Sequence, residues 1–452
     1  MRASVLIGGG NQYTGAMAGP CHSKTRARNR PGQATSRRAS WLLASVLLLL
    51  ASWAAGAPSA PIVVLLSWDG VRHDFPDRAE LPALERMARQ GVRAGRLIPV
   101  FPSNTFPTHV SLATGTRPDR HGIIDNVFID RQRGRYHYDA DADWIDAEPL
   151  WIAAERQGVP AATYFWVGSE SDWRGQGTSY RVAPFDGDRP EADKVDRILE
   201  WLSLPAGVRP RLVMSYWAGV DSVGHDRGPD SAAVVRRLRA QDRQLERLLD
   251  GIEALGLWRN TTVVVVSDHG MTGIGRYLDL RGALEDAGVS ARVTGGAVAQ
   301  VYLDQPERAG AALAALETLE PARIYRKEAL PEALRLRHPH RTGDLVAVTE
   351  PPNTFSRPPG VVGHLASWLH MLGMRYGGHG YDPAHPDMAG IFYAMGRGVS
   401  PNLVLPEVQQ VDVAATVAQL LEIDPPRDSE GRPVPGIGGT LLTRESKRQS
   451  QE

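Results

Sequence analysis

Ile62-Val-Val-Leu-Leu-Ser-Trp-Asp-Gly70 begins as an unbroken apolar run and ends on an aspartate and a glycine. A strand that is apolar on both faces belongs inside a parallel sheet covered by helices on either side. The run is followed by Leu81, Leu84 and Met87 at helical spacing, with Gly91 at the expected C-terminal stop. The same alternation continues down the chain. Ala161–Trp166, Leu212–Tyr216, Val263–Ser267 and Ile391–Ala394 read as further strands. Asp230 to Leu255, with Val235, Leu238, Leu245, Leu249 and Ile252 near one face, reads as a long amphipathic helix. The expected fold class is therefore α/β, a largely parallel central sheet flanked by helices. Weaker alternation with several Pro and Gly over about residues 275–376 marks an inserted, smaller α+β subdomain.

The ends of the chain differ from its middle. Residues 1–57 hold seven basic and no acidic residues, although the 452-residue chain has 51 of each. The basic stretch from Lys24 to Arg38 precedes the apolar run Trp41–Trp53 and then small residues, the order of a secretory signal peptide. The run is short of the roughly 20 apolar residues that a membrane span needs. The expected organisation is an N-terminal extension with signal peptide over 1–57, one metal-dependent domain over 58–445 and a polar tail over 446–452. A periplasmic or secreted location follows. Without residues 1–57 the chain has 44 basic against 51 acidic residues, a net of −7, so no nucleic-acid-binding surface is expected. The single cysteine, Cys21, lies in the extension, which leaves histidines and carboxylates as metal ligands for the rest.

Such residues gather where strands end. Asp69 follows the first strand, Asp221 and His225 follow another, and Asp268 with His269 end a third. His379 sits in Gly377-Gly-His-Gly380, ahead of the Ile391 strand. In open α/β sheets, ligands bind in the crevice beyond the carboxyl ends of the strands. Any one of these residues has a bland reading, an aspartate helix cap or a packed histidine. Together, three aspartates and three histidines suit one or two divalent ions, zinc foremost, with a harder ion such as Mn²⁺ the alternative. Thr105, in Phe101-Pro-Ser-Asn-Thr-Phe-Pro-Thr-His109, precedes a helical segment with Pro107 in its first turn. Threonine there is either a plain N-cap or, beside cations and the positive helix end, a nucleophile.

At this point a resemblance can be stated. The segments Ser67-Trp-Asp-Gly-Val-Arg72, Phe101–His109, His121-Gly-Ile-Ile-Asp-Asn126, Phe165-Trp-Val-Gly-Ser169, Val220-Asp-Ser-Val-Gly-His225, Ser267-Asp-His-Gly-Met271 and Gly378-His-Gly380 occur in one order. The chain resembles the nucleotide pyrophosphatase/phosphodiesterase family of the alkaline phosphatase superfamily. The resemblance implies two Zn²⁺, one held by Asp221, His225 and His379 and one by Asp69, Asp268 and His269. It implies Thr105 as nucleophile beside the second ion, forming a phosphothreonine. Asn126 would donate to a phosphoryl oxygen, and Phe106 and Tyr216 would sandwich a nucleobase. The implied products are nucleoside 5′-monophosphates, from small-molecule nucleotide or other phosphodiester substrates. A phosphomonoesterase and a lysophospholipid or choline-ester phosphodiesterase of the same superfamily remain open at this stage. A sulfatase is disfavoured, because Thr105-Phe-Pro-Thr-His109 lacks the Cys or Ser and the Arg of that motif.

Overall fold

The computed structural model describes residues 60–356 and 376–438. The signal peptide, Cys21, the polar tail and residues 357–375 of the expected insertion lie outside the described residues. The central sheet has nine strands: β1 (Ile62–Trp68), β2 (Gly91–Ile98), β3 (Ala161–Tyr164), β4 (Tyr180–Val182), β5 (Leu212–Trp217), β6 (Thr261–Val266), β7 (Gly390–Gly396), β8 (Leu403–Leu405) and β9 (Val408–Gln409). Their order is β8-β2-β7-β6-β1-β5-β3-β4, with β9 pairing the far end of β2. All pairings are parallel except those of β7, which runs antiparallel to β2 and β6.

Among the described residues, α1 (Pro82–Gln90), α2 (Thr105–Thr114), α3 (Leu150–Arg156), α4 (Glu191–Ser203), α6 (Ala232–Ala254) and α7 (Asp412–Leu421) flank the sheet, and α5 (Asp221–Arg227) lies beyond the end of β5. The two-residue period of β1 divides the core. Val63 and Leu65 pack with α2, α3 and α7, while Ile62, Val64 and Leu66 pack with α1, α4 and α6. Each such aliphatic side chain contributes about 1.5–3 kcal/mol by leaving water. β1 lies between β5 and β6 in register, so Trp68 stands beside Trp217 and Ser67 beside Val266. The aspartates that follow these strands consequently start from one level.

Two local readings change. Gly91 does not close α1 in a left-handed turn; its φ of −155° begins β2 directly. Its missing side chain serves packing, since a Cβ there would run into the Ala394 carbonyl on β7. On α6 the buried stripe runs Val234, Leu238, Leu245, Leu249 and Ile252, with Val234 in the place read as Val235. Residues 291–348 contain a separate four-stranded antiparallel sheet, whose core includes Val301, Leu316 and Leu345.

α1 starts without a side-chain cap of its own. Instead Asp242 of α6, 2% exposed, accepts from Ala83 N (3.1 Å) and Leu84 N (3.0 Å). A carboxylate satisfies two orphan amides there and meets the positive helix end. Asp242→Ala is therefore expected to cost about 1–3 kcal/mol of unfolding free energy, measured by urea denaturation, through two buried unpaired N–H groups.

Candidate active site

The loops after β1 and β5 touch because two glycines let them. Gly219 has φ +59°, and a Cβ on it would collide with the backbone of Asp69. Gly70 has φ +71°, with its Cβ position 2.9 Å from Asp221 Cα. Both the positive φ and the close approach exclude other residues at little cost. Asp221 opens α5 and His225 follows one turn later, so the spacing of four puts both side chains on one helix face. Asp268 is fixed by its own loop: its Oδ1 accepts from Gly70 N (3.1 Å) and His269 N (2.9 Å). His379 arrives on the strand Tyr376–Gly378, which pairs antiparallel with Thr272–Ile274 just beyond His269.

The six residues form two triplets, Asp221/His225/His379 and Asp69/Asp268/His269, with ligand atoms inside each within 4.8 Å of one another. All three histidines are oriented by backbone carbonyls on Nδ1: His225 by Gly377 (2.9 Å), His269 by Gly270 (2.8 Å) and His379 by Ser103 (3.2 Å). A carbonyl only accepts, so Nδ1 carries a proton and each ring turns its Nε2 toward the cluster. Those Nε2 atoms meet acceptors. His379 Nε2 lies 3.1 Å from His225 Nε2, and His269 Nε2 lies 3.3 Å from Asp268 Oδ2 and 3.5 Å from Asp69 Oδ1. Asp69 Oδ1, Asp221 Oδ1 and Asp268 Oδ2 are buried and accept no hydrogen bond. Carboxylate oxygens and imidazole nitrogens crowded this closely call for cations, and mixed imidazole and carboxylate donors fit a divalent metal such as zinc.

The ionisation of these groups points the same way. Burial, then the charges of Asp268 and Asp221, push the Asp69 carboxyl well above its usual range. Burial would lower His225, but the Asp221 carboxylate, 3.3 Å from its Nε2, outweighs it and lifts the ring to about 9. Burial and the neighbouring His269 hold His379 well below its ordinary value. Protons would fill the clusters in the absence of a stronger cation, and a metal would displace them.

Thr105 is the first residue of α2, half-buried, with Oγ1 3.3 Å from His269 Nε2. It is not an N-cap. Asn104 occupies the cap position and makes no capping bond with its side chain. The Thr105 hydroxyl is thus free of helix duty and faces the Asp69 triplet. His109, one turn on and fully buried, approaches the Thr105 carbonyl with Nδ1 at 2.8 Å and Asp268 Oδ2 at 3.4 Å. Asn126 Oδ1 accepts from Phe106 N at 2.8 Å, which brings that side chain to the mouth of the same helix.

The two aromatic positions differ. Phe106 meets Tyr138 and Tyr136 edge-on at 5.1 and 6.2 Å. Tyr216 donates its hydroxyl to Asp69 Oδ2 at 2.6 Å and packs between His109 (5.2 Å) and Phe185 (5.9 Å). Tyr216 therefore orients a cluster carboxylate, a role the sequence reading did not give it. Phe185, 50% exposed beside Tyr216, was missed altogether. Its one signal was an isolated aromatic after Pro184 in a polar loop.

A family model for type I phosphodiesterase / nucleotide pyrophosphatase matches residues 63–382. The chain belongs to this family. A pyrophosphatase/phosphodiesterase of Schizosaccharomyces pombe, itself uncharacterized, is 29% identical over 412 residues, covering 86% of this chain and 82% of that protein. Human ectonucleotide pyrophosphatase/phosphodiesterase family member 1 is 28% identical over 383 residues, 81% of this chain but only 40% of the relative. This chain thus spans about two-fifths of that human protein. Murine ectonucleotide pyrophosphatase/phosphodiesterase 5, solved as an inactive threonine-to-alanine variant with AMP, superposes with a TM-score of 0.72 at 25% identity. The match covers 81% of this chain and 96% of that one. The fold is that of the alkaline phosphatase superfamily. Among the described residues, no helix is long and apolar enough to cross a membrane.

Loss of the Tyr216 hydroxyl is expected to loosen Asp69. Tyr216→Phe should weaken the affinity of the Asp69 triplet for an added divalent ion about 10- to 100-fold in chelator competition, with the secondary-structure spectrum unchanged.

Proposed function

We propose that this protein is a two-metal phosphodiesterase and nucleotide pyrophosphatase that works through a phosphothreonine and releases nucleoside 5′-monophosphates. The observation that carries this reading is a threonine hydroxyl at the start of a buried helix, 3.3 Å from His269 Nε2 and relieved of any capping role. Asp69, Asp268 and His269 would hold one ion, and Asp221, His225 and His379 the other. Bound there, two zinc ions would acidify the attacking hydroxyl or water and offset negative charge on the phosphoryl group and leaving oxygen.

The chain's own residues supply position. Thr105 Oγ1 attacks phosphorus as its proton passes to solvent; the Oγ–P bond forms, and the leaving oxygen departs with the electron pair of the broken bond and takes up a proton from water. Water then attacks the phosphothreonine from the opposite side, releasing the monophosphate and restoring the hydroxyl. The first turn of α2 sets its positive end toward the phosphate. Asn126, with its carbonyl oxygen engaged by Phe106 N, has its amide hydrogens left to donate to a non-bridging oxygen. The inactive form of the murine relative is a threonine-to-alanine variant bound to AMP, which supports both the nucleophile and a nucleotide ligand. The order of residues 24–60 supports export, so we assign the protein to the periplasm or the exterior.

For the base we retain Phe106 and Tyr216 and add Phe185, the exposed ring that packs on Tyr216. Base stacking on an aromatic is worth about 1–3 kcal/mol elsewhere. Phe185→Ala should therefore reduce kcat/KM for a nucleotide 5′-aryl diester at least fivefold more than for a small aryl diester. Equal losses would remove the ring from the base site.

Thr105→Ala is expected to keep bound metal and change stability by only about 0.5 kcal/mol, since no capping bond is lost. Diester hydrolysis should fall by several orders of magnitude, whereas Thr105→Ser retains the attacking oxygen and stays active. Wild-type protein quenched during turnover should carry phosphate on Thr105 by mass spectrometry. An alanine variant hydrolysing diesters at the wild-type rate would make water the first nucleophile. A wild-type preference for an aryl monoester would displace the diesterase reading.

A further inference from the structure

Behind Thr105 and Asn126 lies a carboxyl that no role above uses. Asp125 is 3% exposed, and its Oδ1 accepts two hydrogen bonds, from Asn104 Nδ2 at 2.8 Å and from Asn126 N at 2.7 Å. Its Oδ2 is buried without a hydrogen bond, close to the strand backbone at Gly295. Burial pushes this carboxyl up to about 7, against the pull of the Asn126 and Asn104 donors. An acid kept inside the protein with half its acceptor capacity idle costs stability unless it orders something.

The two groups it orders flank the reaction. Asn104 immediately precedes Thr105, and its side chain points to Asp125 where a capping bond to the helix would otherwise form. The Asn104 carbonyl also takes Thr108 N (3.1 Å) and Thr108 Oγ1 (2.7 Å), so the first turn of α2 is built on this residue. The Asn104 side chain further abuts Gly380, next to His379, where φ +92° leaves no room for a Cβ. Asn126 is the other partner, tied through its Oδ1 to Phe106 N. One buried oxygen therefore links the side chain of the residue before the nucleophile to the main chain of Asn126, whose side-chain amide is set beside the phosphoryl group.

We propose that Asp125 is a positioning residue, which clamps Asn104 and Asn126 through one carboxylate oxygen and so fixes the Asn126 amide relative to Thr105. The proposal rests on the function argued above, in which Thr105 attacks and Asn126 donates. Asp125 touches neither the substrate nor the six cluster residues; it acts through its two asparagines.

A double-mutant cycle tests it, with kcat and KM for an aryl diester and metal content read for each protein. Asn126→Ala and Asp125→Ala should each lower kcat about 100-fold, the scale of a misplaced or missing transition-state donor. KM and bound metal should stay near wild type. Because Asp125 works through Asn126, the Asp125→Ala/Asn126→Ala protein should be little slower than Asn126→Ala alone. Asp125→Asn, whose amide oxygen can accept the same two bonds, should recover kcat to within about fivefold of wild type. If Asp125→Ala does not fold, Asp125→Ser takes its place in the same cycle. Losses that multiply in the double variant, an unchanged kcat in the Asp125 single variant, or an Asp125→Asn protein as slow as Asp125→Ala would each overturn the proposal. An Asn126→Ala protein as fast as wild type would instead remove Asn126 from the reaction, a failure of the underlying reading and visible before the cycle is closed.

Discussion

Six ligand-capable side chains converge, three of them fully buried, and the rest of the site is arranged around that fact. Three imidazole nitrogens, aimed inward by carbonyl partners on the other ring atom, face one another and three carboxylate oxygens at 3.1–3.6 Å. Such an array is self-repelling unless cations occupy it. Holding it in shape takes the parallel register of β1, β5 and β6, which starts Asp69, Asp221 and Asp268 from one edge. It also takes Gly70 and Gly219, which let two loop backbones meet, and the antiparallel pairing that delivers His379. The strain of assembling like groups falls on the scaffold, and metal binding relieves it.

Much of the architecture is legible in the sequence because burial on both faces leaves a plain mark. Ile62–Leu66 and Val263–Val266 contain only aliphatic residues, and no solvent-facing strand has reason to look like that. Direction is a different matter. Ile391–Ala394 is likewise a buried apolar run, yet it runs antiparallel, because orientation depends on the connection and not on the residues. Gly91 carries the mark of a helix stop, but its cause is the carbonyl of Ala394, some 300 positions away in the chain. Val235 and Val234 differ by one step of the helix, and only the partner layer decides between them. Asp242 has the appearance of an ordinary helix-surface acid, and nothing local tells that it caps another helix.

The chemistry shows a similar division. The cluster residues are legible because most stand within a few residues of a strand end, and His225 lies one helical turn beyond Asp221. Thr105 is legible as a helix start, but the choice between cap and nucleophile turns on where Asn104 points, and that is set by Asp125 twenty-one residues on. The ring of Tyr216 suggests stacking, whereas its hydroxyl is committed to Asp69. Phe185 and Asp125 escape notice for opposite reasons. The ring sits in a loop with no periodicity to betray it, and the acid is buried at a depth that sequence does not encode.

Formal charge supplies a final argument for the kind of substrate. The clusters contain three carboxylates and three neutral imidazoles, so two divalent ions would leave the site with a net charge of about +1. A phosphodiester brings a single negative charge and is balanced; a monoester dianion overshoots by one and wants a further cationic donor. The groups set closest to the expected phosphate position are Asn126, a neutral amide, and the amides of the first turn of α2. Neutral donors discriminate by geometry without adding charge, so they favour the monoanion. Asp125 bears on this balance: burial raises its carboxyl above the usual range, so it sets less negative charge beside the site than an exposed aspartate would. A fully ionised acid at that place would weaken the attraction for any phosphate, and a lysine in its stead would tilt the site toward the dianion. The same buried carboxyl can thus order the two asparagines while leaving the charge of the site close to what a diester requires.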